Sequence, residues 1–209
     1  MNIKHLVGLS YRNLLFWLSR KIDYPLCSPD VVQVNFTFEC NLRCKMCSME
    51  EQKRYLKNQA RKVEIDSLTF RKIIKETQDL GAKTILFIGG EPFLRKDLFD
   101  LVGYAKNFKL NTVIVTNGVL LNEDNITQCM EKGVDWLSIS IDAASEGTFS
   151  KIRGENVFGR IIKNCDILNN LKEKRKRDFP KVVVVCTIMN DNLEELLDVV
   201  YLCKKLCVE

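Results

Sequence analysis

The chain has 209 residues, room for one domain of ordinary size or two small ones, with 46% apolar and 28% charged residues. That balance excludes intrinsic disorder, collagen-like repeats and a multi-span membrane protein, and a net charge of +5 is too mild to call for a nucleic-acid partner. Nine cysteines, odd in number and unevenly spaced, do not read as a disulfide framework, and a single histidine, His5, leaves little for zinc or His-based catalysis. A reducing, cytoplasmic protein that uses some of its thiols as ligands is expected.

The first segment, Ile3 to Lys21, sets Ile3, Leu6, Val7, Leu14, Leu15, Trp17 and Leu18 at roughly helical spacing among Lys4, Arg12, Arg20 and Lys21. Its longest apolar run, Leu14 to Leu18, is far short of the ~20 residues of a bilayer span. No small-residue cleavage site follows it. Two readings stand: a helix packed on the main domain, or a basic amphipathic helix in peripheral contact with a membrane. Pro25 and Pro29 mark the entry to the main domain, which divides the chain into an N-terminal helix and linker, 1–29, and a core domain, 30–209.

From Val31 onward β-branched and aromatic runs alternate with helical patterns. Strands are expected at Val31–Phe38, Thr84–Ile88, Thr112–Thr116, Trp136–Ile141 and Val182–Thr187. Helices are expected at Ser67–Leu80, Lys96–Asn107, Asn122–Lys132, Phe158–Lys174 and Leu193–Leu206, with Asp66, Asn122 and Asn192 as caps and Gly81 and Gly133 as stops. Near-continuous apolar strands are those buried on both faces. Five β-then-α units in succession therefore predict an α/β fold with a parallel sheet, either a partial barrel or a doubly wound sheet. Chemistry in such folds gathers at the C-terminal ends of the strands.

The first strand runs into Cys40-Asn41-Leu42-Arg43-Cys44-Lys45-Met46-Cys47. Three thiols in one short loop can converge on one centre, and soft thiolates favour zinc or an iron–sulfur cluster. Structural zinc wants a fourth Cys or His, and none stands at a suitable spacing. A 4Fe–4S cluster held by three thiolates keeps one iron open, the logic of a catalytic site. The second strand ends in Gly89-Gly90-Glu91-Pro92, the third in Thr116-Asn117-Gly118, and the fourth in Ser138-Ile139-Ser140-Ile141-Asp142, followed by Lys151-Ile152-Arg153-Gly154. Alternation points Ser138, Ser140 and Asp142 to one side of their strand.

The Cys-x3-Cys-x2-Cys loop after the first strand resembles the signature of the radical S-adenosylmethionine (SAM) superfamily. The later motifs are similar to those of its peptide-modifying (SPASM-type) and molybdenum-cofactor-pathway branch. The resemblance, from Val31 to about Leu206, implies a partial (β/α) barrel in which Cys40, Cys44 and Cys47 hold a 4Fe–4S cluster. It implies that the reduced cluster cleaves SAM to a 5′-deoxyadenosyl radical, which takes hydrogen from a peptide or small-molecule substrate. By the same resemblance Gly89, Gly90 and Glu91 meet the amino group of SAM, and Thr116 and Asn117 its methionine or ribose end. Ser140 is then a ribose-side ligand, Arg153 a partner for the carboxylate, Met46 a surface for adenine, and Asp142 a neighbour of the substrate. A reducing partner such as a flavodoxin or ferredoxin is implied as well.

The family core has six βα units, and five are legible before Glu209, so the fifth strand is expected to be an open edge and the chain a truncated, fragmentary or split form. The competing readings are an iron–sulfur electron-transfer or sensing module and a non-catalytic SAM-binding remnant. Cys203 and Cys207, four apart, read as core packing or the start of an auxiliary cluster site. Cys27, Cys129, Cys165 and Cys186 read as buried or incidental thiols. The basic stretch Lys172 to Arg177 reads as a solvated helix end or an RNA or leader-peptide contact, and Lys53 to Lys62 as part of a long loop near the substrate path.

Overall fold

The computed structural model describes residues 3–59 and 64–206, with side chains from Tyr11 onward. Five strands, β1 (Val31–Thr37), β2 (Thr84–Gly89), β3 (Asn111–Thr116), β4 (Trp136–Ser140) and β5 (Lys181–Val185), form one parallel sheet in the order β1-β2-β3-β4-β5. Neighbours in sequence are neighbours in space, so every crossover steps in the same direction. A doubly wound sheet reverses its order partway, whereas an uninterrupted progression is an arc of a barrel.

The helices that close the five units are α3 (Ser67–Asp79), α4 (Leu98–Asn107), α5 (Glu123–Lys132), α7 (Phe158–Lys174) and α8 (Leu196–Lys205). Asp66 caps α3 by accepting from Thr69 N (2.8 Å), and Asn122 caps α5 by accepting from Asn125 N (2.9 Å). Gly133 ends α5 at φ +75°, a left-handed position where a Cβ would be strained. Asn192 stands at the N-cap of the short 3-10 turn Leu193–Glu195 that leads into α8, but its side chain makes no capping hydrogen bond. Its side chain, 1% exposed, instead donates to the backbone oxygens of Asp142 (2.7 Å) and Thr187 (2.8 Å), which pins the loop after β5 to the end of β4.

Three further helices lie outside those five units. Of these, α1 (Ile3–Ile22) precedes the barrel; none of its side chains from Tyr11 onward is fully buried, and Arg12 pairs with Asp30 just before β1. The stretch read as a long loop contains α2 (Met49–Asn58), and α6 (Glu146–Arg153) follows β4. Residues 60–62 of the basic stretch Lys53–Lys62, and Cys207, lie outside the described residues.

The core fills the space between sheet and helices. Phe36, Phe70 and Phe87 are fully buried, with the Phe36 ring edge-on to Phe70 (centroids 4.8 Å apart) and to Phe87 (5.4 Å). Arg95 lies 4.3 Å over the Phe36 ring and donates to Phe36 O (2.9 Å) and Ile65 O (2.8 Å), while Asp97 holds its guanidinium from the other side. These contacts fix the C-terminal end of β1, where its register with β2 shifts between Asn35 and Thr37 and the chain turns into the cysteine loop.

Candidate functional site

A cavity of about 530 Å3 opens at the C-terminal ends of the strands. Cys40, Cys44, Met46 and Cys47 line it from the loop after β1, Gly89 and Gly90 from β2, Thr116 and Asn117 from β3, Ser138 and Ser140 from β4, and Arg153 from α6. Every residue singled out in the sequence for cluster or cofactor binding lines this one cavity, except Glu91. Cavities of this size take ligands of cofactor dimensions. Gln33, Leu86, Ile88, Val115, Val185 and Thr187 complete the wall. Sequence reasoning passed over Gln33, although a polar residue between two valines of an apolar strand is the period-2 signal of a side chain facing a lumen.

The cysteine loop is held by its neighbours. Cys40 Sγ accepts from Leu42 N (3.4 Å), and Asn117 Nδ2 donates to Asn41 Oδ1 (2.8 Å). The Lys151-Ile152-Arg153-Gly154 segment braces the other side. Ile152 O accepts from Lys45 N (2.8 Å), and Arg153 Nη1 donates to Cys44 Sγ (3.6 Å). Gly154, at φ +79°, comes so near Arg43 that a Cβ would lie 2.7 Å from its carbonyl oxygen. Asp191 ties the loop after β5 to the same region through Lys45 (2.7 Å) and Lys151 (2.6 Å), and the two ammonium groups hold its carboxyl down at about 2.

Glu91 is fully buried and does not line the cavity. Its carboxylate accepts from Thr116 Oγ1 (2.8 Å) and Asn117 N (2.8 Å), which ties the end of β2 to the end of β3. Burial pushes its carboxyl up to about 7 despite these hydrogen bonds. The glycines before it are required by the protein itself. A Cβ on Gly89 would lie 2.3 Å from Thr37 O and one on Gly90 2.0 Å from Glu39 O, so the β2 end can meet the approach to the cysteine loop only without side chains. Gly90→Ala is therefore expected to cost about 3 kcal/mol in urea unfolding. A loss below ~1 kcal/mol would show that the two backbones separate easily.

Asp142 is fully buried and does not itself line the cavity. It pairs with Arg153 Nη2 at 2.5 Å and accepts from Thr187 N (2.8 Å), so it orients the guanidinium beneath Cys44. Arg153 is only 8% exposed, and its Nε is buried without a hydrogen bond among the described residues. That donor suits an anionic ligand group in the cavity, because a buried unpaired N–H is costly and a carboxylate relieves it.

The donor set fits a cluster. Among the described residues no three His, Cys, Asp or Glu side chains stand close enough to hold one metal ion. A cluster asks less, because each thiolate takes its own iron. Burial raises the Cys40 and Cys44 thiols above their ordinary value, with Arg153 opposing the rise at Cys44. Thiolates form there only as metal binds, so cluster binding releases protons.

A parallel barrel arc with a three-cysteine loop at its first strand end, facing a cofactor-sized cavity, has the donor set that a thiolate-ligated cluster requires. The chain belongs to the Radical SAM superfamily, which residues 34–203 match. Proteins of that family use a 4Fe–4S cluster and SAM.

Over 180 residues the chain is 29% identical to the AdoMet-dependent heme synthase of Methanosarcina barkeri, covering 86% of this chain and 48% of that protein. It is 34% identical over 167 residues to the Fe-coproporphyrin III synthase of the same organism, covering 79% and 39%. Among solved structures, Streptococcus suis SuiB bound to the precursor peptide SuiA matches with a TM-score of 0.71 at 17% identity, over 96% of this chain and 42% of that one. The chain thus spans about half or less of the length of these relatives.

Proposed function

We propose that the chain binds a 4Fe–4S cluster through Cys40, Cys44 and Cys47 and uses it to cleave SAM reductively, initiating radical chemistry on a peptide or small-molecule substrate. The observation that carries this reading is the convergence of the three cysteines with the ends of β2, β3 and β4 and with Arg153 on one cavity. When bound, the reduced cluster supplies one electron to the sulfonium of SAM, releasing methionine and a 5′-deoxyadenosyl radical that takes a hydrogen atom from the substrate.

The chain's own residues do the positioning. Arg153, steadied by Asp142, offers its unpaired Nε to the carboxylate of SAM. The backbone of Gly89 and Gly90 faces the amino group, Ser140 the ribose, and Met46 the adenine, while Thr116 and Asn117 complete the methionine side. Glu91 acts as a positioning residue by holding Thr116 and Asn117 in place. The electron comes from a reducing partner such as a flavodoxin or ferredoxin, and a reducing cytoplasm suits both cluster and thiols.

The test is anaerobic reconstitution followed by EPR of the reduced protein with and without SAM, and assay of 5′-deoxyadenosine under dithionite. SAM is expected to shift the spectrum, and Arg153→Lys, which loses the guanidinium fork, to weaken SAM binding roughly tenfold. A spectrum unchanged by SAM in the unmutated protein would favour an electron-transfer module instead.

A further inference from the structure

From Tyr11 onward, helix α1 places no side chain in the core or the cavity. Tyr11, Leu14 and Trp17, spaced three apart, are 63%, 51% and 56% exposed. Phe16, Ile22 and, in the turn that follows, Tyr24 and Leu26 are exposed as well. Leu26 N donates to Ser19 Oγ (2.9 Å), so this turn folds back on the helix end and adds its apolar side chains to the same element. Scattered apolar side chains are normal on a surface, but a run of aromatic and aliphatic groups along one helix marks an interaction site.

The charge on this element points to the kind of partner. Residues 1–22 include Lys4, Arg12, Arg20 and Lys21 and no Asp or Glu. Arg12 is paired with Asp30, while Arg20 and Lys21 stand at the exposed helix end, with Lys21 Nζ 5.8 Å over the Trp17 ring. Amphipathic aromatic rings beside basic side chains, with Asp23 the one acidic residue from 1 to 26, match the interface of an anionic bilayer: apolar groups enter the headgroup boundary and cations meet lipid phosphates. A second copy of the helix is a poorer occupant, because pairing would bring like charges together. No described helix is long and apolar enough to cross a membrane.

We infer that α1 docks the protein on the surface of an anionic lipid bilayer, lying in the headgroup plane with Trp17 and its apolar neighbours inserted. The Arg12–Asp30 pair attaches the helix beside the N-terminal end of β1. The cysteine loop and the cavity lie at the opposite ends of the strands, so docking through α1 leaves the cavity mouth open to water. This inference goes beyond the cluster reading and does not depend on it, since its test involves no iron.

The experiment is flotation of the full chain with phosphatidylcholine vesicles prepared with and without phosphatidylglycerol. The chain is expected to float only with the phosphatidylglycerol vesicles, and less so as salt rises. Joint Arg20→Gln and Lys21→Gln replacement is expected to lower partitioning roughly 25-fold, from about fivefold per basic residue. In a Trp136→Phe background Trp17 is the only tryptophan, and its emission should shift to the blue on binding. Circular dichroism without lipid checks that each variant is folded. Absence of binding to phosphatidylglycerol vesicles, equal binding to both vesicle types, or a Trp17-dependent dimer without vesicle binding would each overturn the inference.

Discussion

Alanine at Cys40, Cys44 or Cys47, introduced singly, is expected to reduce the iron retained after anaerobic reconstitution from about four atoms per chain to nearly none. With one thiolate gone, two irons lack a protein ligand, and the loop supplies no replacement donor. Cys129→Ala and Cys165→Ala are the controls. Both thiols are buried in the core, where burial pushes them up to about 12, and neither lines the cavity. These two variants should keep the brown colour and full iron content while losing about 1 kcal/mol of stability from the missing sulfur. Iron retained by a Cys44→Ala protein, or stoichiometric zinc in a folded, iron-free one, would overturn the assignment.

The second large effect concerns Glu91. In the cluster-free chain its carboxyl titrates at about 7, against an ordinary 4.5. The folded state therefore holds the proton more tightly than the unfolded state, and stability falls as pH rises through this window. Below it both states are protonated and nothing is lost; above it both are ionised and the penalty is constant, on the order of 3 kcal/mol. Urea unfolding of the unmutated chain at pH 5 and pH 8 should show this decline. Glu91→Gln should flatten it. Asp97 and Asp191, whose carboxyls are held below the ordinary range, act at more acid pH and with the opposite sign. Glu91→Ala strands Asn117 N and Thr116 Oγ1 without their acceptor and should cost about 3–5 kcal/mol, or about 1–3 per buried group. Equal pH slopes for Glu91→Gln and the unmutated chain would show that the buried carboxylate finds another route to solvation.

The five strands were legible because each is an apolar run too short for a helix and bounded by turn residues, and α3 and α5 because Asp66 and Asn122 stand where caps belong. Helix α2 was hidden for a physical reason. None of its residues is fully buried, and Met49, Tyr55 and Leu56 are too few among its charged residues to set it apart from a loop. The cysteine loop could be located because three thiols at close spacing are a local feature. The disposition of Glu91 could not be, since it depends on where the end of β3 comes to lie. The same holds for Asn192, whose sequence position suggests a cap but whose acceptors belong to Asp142 and Thr187. Nor could the sequence show that Gly89 and Gly90 pass close to the backbone at Thr37 and Glu39, since that depends on how β1 and β2 pair.

The braces around the cysteine loop come from far along the chain: Arg153 lies 109 residues beyond Cys44, and Asp191 146 beyond Lys45. Contacts of such sequence separation require the whole intervening segment to have been made, and closing so long a loop costs more entropy than closing a short one. A ribosome-bound chain that has exposed its cysteines has not yet made the guanidinium that faces Cys44 or the carboxylate that clasps Lys45. Metal captured that early would thus meet a loop without its supports.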